Sequence, residues 1–290
     1  MSQVFKYEDL EDYNLNKPDV LMVLKPWIDV GRVGTRVLRH LKKELEANNL
    51  TSMNNPGVFY DYTIYRPRTY FENSKRIFRK PETRMSLIKR PGHTNDLILM
   101  ELLEPHSNSE ELIDAILDMA KRYDIASYTM IGGMYDMVPH TRPLVVSSIV
   151  SNKNMLDDLK EFNVRESDYE GPTSITLLVQ EKLREKGIDT RTFVVHLPQY
   201  LEINEDFSGQ ARLMEIICKL YNLPTDLVEK QKGIDQYADS ELYFNDYDEI
   251  DNLIEMLEQN YDKTYGYNET VSAELSPDIE QFLKDMGESL

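Results

Sequence analysis

Short apolar runs alternating with amphipathic stretches set the tightest limit on what this chain can fold into. Residues 20–24 read as a buried strand, followed by a loop, Lys25-Pro-Trp-Ile-Asp-Val-Gly31. A helix comes next, with Val33, Val37, Leu38, Leu41 and Leu45 on one face. The alternation continues through a strand at 96–103, a helix at 109–123 and strands at 126–131 and 144–150. A short helix at 154–160, a longer one at 173–186, a strand at 192–197 and a helix at 209–221 complete it. Gly187 stands where a helix C′ residue must take a left-handed backbone. Strands interleaved with helices imply a three-layer α/β/α sandwich, its sheet largely parallel or mixed and covered on both faces.

Between these elements the sequence is less regular. Asn48-Asn49 and Asn54-Asn-Pro-Gly57 read as turns, and 58–65 alternates aromatic and polar residues like a strand. Short strands are expected at 69–71 and 85–89, flanking the one basic region. That region holds Arg66, Arg68, Lys75, Arg76, Arg79, Lys80, Arg84, Lys89 and Arg90, with Tyr70, Phe71 and Phe78 among them. It suits an acidic partner or the acidic tail of a neighbouring subunit better than the alternative, an RNA-binding patch.

Charge divides the chain. The formal net charge is −18, and from residue 234 on sixteen acids face only Lys263 and Lys284. Such a surface opposes nucleic-acid binding, whose affinity comes largely from phosphate neutralisation. Two units are therefore expected: an α/β sandwich over 1–226 and an acidic helical extension over 227–290. In the extension Ile250, Leu253, Ile254, Leu257 and Tyr261 keep helical spacing, and a last helix is expected at 276–286. A helix with such a stripe must dock on its own body or on another subunit.

No apolar run approaches the roughly 20 residues a membrane span needs. With one cysteine, Cys218, on an apolar helical face and no leader-like opening, the expectation is a cytoplasmic protein with a buried thiol and no membrane partner.

Polar residues that invite chemistry cluster at the ends of expected strands, where open α/β sheets bind ligands. Gly132-Gly133 closes one strand and lets backbone approach closely. In Val138-Pro-His-Thr-Arg-Pro143 the two prolines fix the pose of His140, Thr141 and Arg142. Arg142 suits a clamp on an anion or a brace on a loop, and His140 a general base or a structural partner. Tyr169-Glu-Gly-Pro-Thr-Ser-Ile175 reads as a helix start, with Pro172 in the first turn and Thr173 beside it. Glu170 there is an acid/base candidate or a partner for Arg142. His196 ends a further strand, and His140, Arg142, Glu170 and His196 together would make an acid/base cleft. Against this, the chain has no nucleophile elbow, no phosphate loop ending in Lys-Ser/Thr and no metal-ligand spacing. Gly31-Arg-Val-Gly34 is a weak phosphate-loop candidate; Asp29 beside a helix start is the simpler account. No cofactor and no metal are expected.

These motifs resemble the proteasome assembly chaperone 2 family, in particular its prokaryotic single-chain members. The resemblance rests on Trp27-Ile-Asp-Val-Gly31, Phe59-Tyr-Asp-Tyr-Thr-Ile-Tyr-Arg-Pro67, Gly132-Gly133, Val138-Pro-His-Thr-Arg-Pro143, Tyr169-Glu-Gly-Pro-Thr-Ser-Ile175 and Pro198-Gln-Tyr200, in that order. It implies a nucleoside-phosphorylase-like sandwich, homo-oligomers of three or more subunits, and a non-enzymatic chaperone or scaffold with proteasome subunits as partners. It also implies a hydrophobic-Tyr-any-residue ending, whereas this sequence ends Met286-Gly-Glu-Ser-Leu290. The alternative is an enzyme that binds a small anionic or nucleoside-like ligand at the strand ends.

Overall fold

The computed structural model describes residues 3–7, 15–152, 154–157, 159–241 and 248–265. In chain order the elements are β1 (Phe5–Tyr7), β2 (Asp19–Lys25), α1 (Val33–Glu44), β3 (Asn48–Met53), β4 (Arg68–Glu72), β5 (Lys75–Arg79), β6 (Arg84–Ile88), β7 (Leu97–Leu103) and α2 (Ser109–Arg122). Then come β8 (Ser127–Asp136), β9 (Val146–Val150), α3 (Asn154–Asp157), β10 (Val164–Glu166), α4 (Ile175–Glu185), β11 (Asp189–Pro198), α5 (Phe207–Tyr221), α6 (Lys230–Glu241) and α7 (Asp248–Tyr265).

Nine strands form one mixed sheet in the order β1-β3-β6-β7-β2-β8-β11-β9-β10, while β4 and β5 pair only with each other. The central strands β7, β2, β8 and β11 are parallel. Antiparallel β6, β3 and β1 extend one side; β9, antiparallel to β11, and β10 extend the other. Along β2 successive side chains enter opposite cores, as the period of two requires. Val20 and Met22 join α2 and α4; Leu21 and Val23 join α1 and α5. The helices supply matching stripes. Val33, Val37, Leu38 and Leu41 of α1 are all fully buried, each worth roughly 1.5–3 kcal/mol in area removed from water. The three-layer expectation holds, with the sheet mixed.

Several local expectations do not survive. Residues 58–65 form turns, not a strand: Tyr60 N–H donates to Pro56 O and Tyr65 N–H to Asp61 O, and Asp61 Oδ1 accepts from Thr63 N–H. Local side-chain acceptors of this kind divert backbone from a ladder. Asn48-Asn49, read as a turn, instead opens β3, which runs to Met53 between β1 and β6. The basic region holds a complete hairpin, because β5 returns antiparallel along β4. Pro172 precedes α4, whose N-cap is Ser174. The expected helix at 276–286 lies outside the described residues. Cys218 is buried on α5 as expected, and α6, within the stretch read as a helical extension, adds Tyr237 to the core of the α1/α5 face.

Candidate functional site

Gly132-Gly133 does not close β8. The strand runs through both residues to Asp136. β2 pairs with β8 only from Asp19 to Met22, and the loop after β2 then takes over. Gly133 N–H donates to Ile28 O at 3.0 Å, and Asp29 forms a bridge to Gly133. A Cβ on Gly132 would stand 2.2 Å from Ile28 O, and one on Gly133 2.6 Å from Val33 Cγ2. The glycines thus admit the chain's own backbone into the strand-end crevice where α/β enzymes hold ligands. Asp29 locks this crossing: its carboxylate accepts from Thr35 N–H at 3.1 Å and from Thr35 Oγ1. Burial holds its pKa above the ordinary value. Gly34 is likewise a packing residue, since a Cβ there would meet Val23 Cγ2 at 2.6 Å.

Beside the crossing, Lys25 and Lys42 both donate to Glu101. Burial alone would raise the Glu101 carboxyl, but the two ammonium groups outweigh it and bring the pKa to about 2.

His140 is buried in the loop after β8. Its backbone N–H donates to Tyr200 Oη at 2.8 Å, and its Nδ1 lies 2.5 Å from the same oxygen. Its ring meets Tyr200 and Tyr237 edge to face, with centroids 5.7 and 6.0 Å apart. Tyr237 Oη in turn donates to Asp206 Oδ2 at 2.9 Å, and Asp206 caps α5 through Gly209 N–H. The histidine therefore ties the loop to the turn at Tyr200 and to α6.

Arg142 turns toward the acidic tail. Its Nε and Nη2 donate to the two oxygens of Asp262 at 2.9 and 3.0 Å, and its Nη1 to Glu258 Oε1 at 3.2 Å. Such a fork is the strongest form of arginine–carboxylate contact. The Arg142 hydrogen bond, more than the simple charge, holds the Asp262 carboxyl below its usual range. Thr141 Oγ1 donates to Glu258, and Tyr261 Oη donates to Pro143 O at 2.8 Å. Val138, Val145 and Tyr261 form a small apolar cluster under these contacts.

His196 does not join this group. In β11 it clasps the neighbouring strands: Nδ1 lies 2.6 Å from Asp136 Oδ2 of β8, and Nε2 2.9 Å from Ser147 Oγ of β9. The His196 hydrogen bond holds Asp136 below the usual carboxylate range. Carboxylate, imidazole and hydroxyl stand in the order of a hydrolase triad. Ser147, however, lies mid-strand between β11 and β10, so neighbouring amides are committed to the sheet and leave no oxyanion hole of the usual kind. Glu170 and Thr173 are exposed in the loop before α4.

A cleft of about 400 Å³ opens between the His140–Arg142 loop, α5 and α6, and neither Glu170 nor His196 lines it. Its cations are already paired: Glu215 holds Arg212 at 2.7 Å and Lys230 at 2.6 Å. Among the described residues, no group of three or more His, Cys, Asp or Glu side chains is placed to hold a metal ion, and no helix is long and apolar enough to cross a membrane.

The structure thus brings His140, Thr141 and Arg142 together and leaves Glu170 and His196 elsewhere. Of their partners, Tyr200 lies in the Pro198-Gln-Tyr200 motif, whereas Tyr237, Glu258 and Asp262 were not singled out as site residues from the sequence. Glu258 and Asp262 do carry a signal, since they stand four residues apart and flank the apolar Tyr261.

The sequence profile of the PAC2 family matches residues 23–237. A PAC2 family protein from Streptomyces avermitilis has a similar structure, with a TM-score of 0.68 at 24% identity over 78% of this chain and 98% of that one. A proteasome-assembly chaperone homologue from Mycobacterium tuberculosis gives 0.65 at 22% identity, over 79% and 94%. An archaeal proteasome activator from Pyrococcus furiosus gives 0.62 at 14%, over 81% and 97%. No curated protein matches the chain.

Proposed function

This chain belongs to the PAC2 family, and we propose that it acts as a non-enzymatic, homo-oligomeric chaperone or scaffold with proteasome subunits as partners. One observation carries the non-enzymatic part: the strand-end crevice is filled by the chain's own Ile28–Asp29 backbone bridged to Gly133. The polar motif residues beside it are held in structural contacts. His140 contacts Tyr200, and Arg142 contacts α7. Proteins of similar structure described as a proteasome-assembly chaperone homologue and a proteasome activator support the choice of partner. An enzyme for a small anionic ligand finds less support, because the cleft nearest the motif has its cations paired with Glu215.

The test is co-purification. Tagged full-length chain is expected to retain proteasome α-subunits from lysate and to shift purified α-subunits in size-exclusion chromatography. Failure in both formats overturns the proteasome partner. A nucleoside or inorganic phosphate that raises the melting temperature by several degrees, and loses that effect in Arg142→Met, would overturn the non-enzymatic reading.

A further inference from the structure

The clasp across β8, β11 and β9 fixes more than strand pairing. Asp136 Oδ1 accepts from Met137 N–H at 2.7 Å, and Oδ2 faces His196 Nδ1 at 2.6 Å. An ionised carboxylate can only accept, so a neutral His196 carries its proton on Nδ1 and turns the lone pair of Nε2 to Ser147. The Ser147 hydroxyl has a second acceptor, Val194 O, but at 3.5 Å against 2.9 Å for Nε2. Its proton therefore points at the imidazole. A hydroxyl so placed on a base that a third group orients is an activated nucleophile.

Strand register gives the three residues an open side. Met134 stands opposite His196, Val194 opposite Ser147, and Ser147 opposite Arg165. With a period of two, these side chains and Asp136 share the face of the sheet on which Val194 packs with α2 and α4. Ser147 is half-buried, and the side chains of Asp136 and His196 are 37% and 15% exposed. Met134, at 38% exposure, and Val194 supply an apolar flank for a short acyl chain. On the other side, Arg165 has its Nε buried without a hydrogen-bond partner.

We propose that Ser147 is a covalent acceptor site, with His196 as its base and Asp136 as the positioning residue, and that it takes one acyl group from an activated ester or thioester. In this step Ser147 Oγ forms a bond to the acyl carbon and its proton passes to His196 Nε2. The C–O or C–S bond of the donor breaks, and its electron pair leaves with the alkoxide or thiolate. The imidazolium then returns the proton to the leaving group or to water. The reaction stops there for a physical reason. An activated donor brings its own good leaving group, whereas a serine ester must expel an alkoxide, and the amides beside Ser147 are committed to the sheet and cannot stabilise the oxyanion. The site is thus loaded once and does not turn over. It goes beyond the chaperone reading and does not depend on the proteasome partner.

The test uses the full chain and p-nitrophenyl acetate. Wild type is expected to release about one equivalent of p-nitrophenolate in a burst, about 100-fold faster than serine in an unstructured peptide. Peptide mass spectrometry is expected to place the acetyl group on Ser147, a readout that needs no variant. Ser147→Ala should abolish the burst with the melting temperature unchanged. Asp136→Asn, which no longer enforces the Nδ1–H tautomer, should slow the burst at least about tenfold and leave its amplitude at one equivalent. A purely structural clasp would move the melting temperature and not the burst rate. No burst, a burst that survives in Ser147→Ala, or acetyl found only on lysines overturns the proposal. Continuous release at a constant rate, lost in Ser147→Ala, overturns the single loading and the non-enzymatic reading together.

Discussion

Replacing Arg142 with methionine isolates what its guanidinium does for α7. Methionine keeps most of the apolar stem and loses the fork. Three hydrogen bonds disappear, two to Asp262 and one to Glu258. Bonds to charged groups contribute about 1.5–3 kcal/mol net when well shielded. Here shielding is partial, with side-chain exposures of 20% for Arg142, 27% for Glu258 and 36% for Asp262. The freed carboxylates can rehydrate, so the loss for the whole fork is about 2 kcal/mol. The remaining contacts hold the helix in place: Leu257 and Tyr261 stay buried, Tyr261 Oη keeps Pro143 O, and Arg165 keeps its place 4.5 Å from the Tyr265 ring. The helix therefore opens more often without leaving. About 2 kcal/mol corresponds to a roughly 30-fold rise in the open fraction. Amide hydrogen exchange reads this directly, because local opening sets the rate. Amides of α7 from Glu255 onward should exchange about 30-fold faster, and amides of β2 and β7 at the wild-type rate. Unchanged exchange in α7 would refute the claim that the fork holds the helix. Equal acceleration in β2 and β7 would refute the claim that its effect is local.

Gly132→Ala forces a Cβ to within 2.2 Å of Ile28 O; with backbone on both sides, the cost should reach about 3 kcal/mol, seen as a lower denaturant midpoint with an unchanged slope. Glu101 loses its advantage in acid. Its folded pKa of about 2 lies below the unfolded value of 4.5, so its stabilisation is present above pH 4.5 and lost as pH falls toward 2. At most about 3 kcal/mol is involved, and Glu101→Gln should take up about one proton fewer than wild type on unfolding between those pH values. Burial pushes the Cys218 thiol up to about 11, so an aromatic disulfide reagent should modify it at neutral pH only as fast as the chain unfolds.

The parts legible in the sequence are those with a long, clean period. β2, α1, β7, α2, α4 and α5 announce themselves through repeated apolar spacing, and Gly187 stops α4 with a backbone φ of 78°. Short edge elements carry no such period. β3 reads Asn-Asn-Leu-Thr-Ser-Met, which favours a turn by composition; pairing with both β1 and β6 overrides that preference. At 58–65 the reverse happened. The aromatic–polar alternation imitates a strand, yet Phe59 and Tyr60 are adjacent and both buried, which a strand with one buried face does not allow. The glycine pair at 132–133 looked like a strand ending because glycine weakens strands. Its actual cause, the Ile28 carbonyl, is a hundred residues away. Arg142 and Asp262 are separated by 120 positions, and nothing local in either motif names the other.

This distance also explains why the Pro-His-Thr-Arg-Pro run looked catalytic. A loop that must hold a separate helix needs a stiff backbone, a buried anchor and a multivalent cation, and these are the same residue types an active site needs. Here the anchor is His140 on Tyr200, and the cation grips Glu258 and Asp262. The consequence is a coupling. The loop engages α7 at Glu258, Tyr261 and Asp262, while Asp251, Glu255 and Met256, nearer the start of the helix, are exposed. A partner that contacts α7 and the loop together binds only the docked helix and so stabilises the loop by mass action. By the same linkage, weakening the Arg142 fork should weaken such binding by no more than the factor by which it opens the helix.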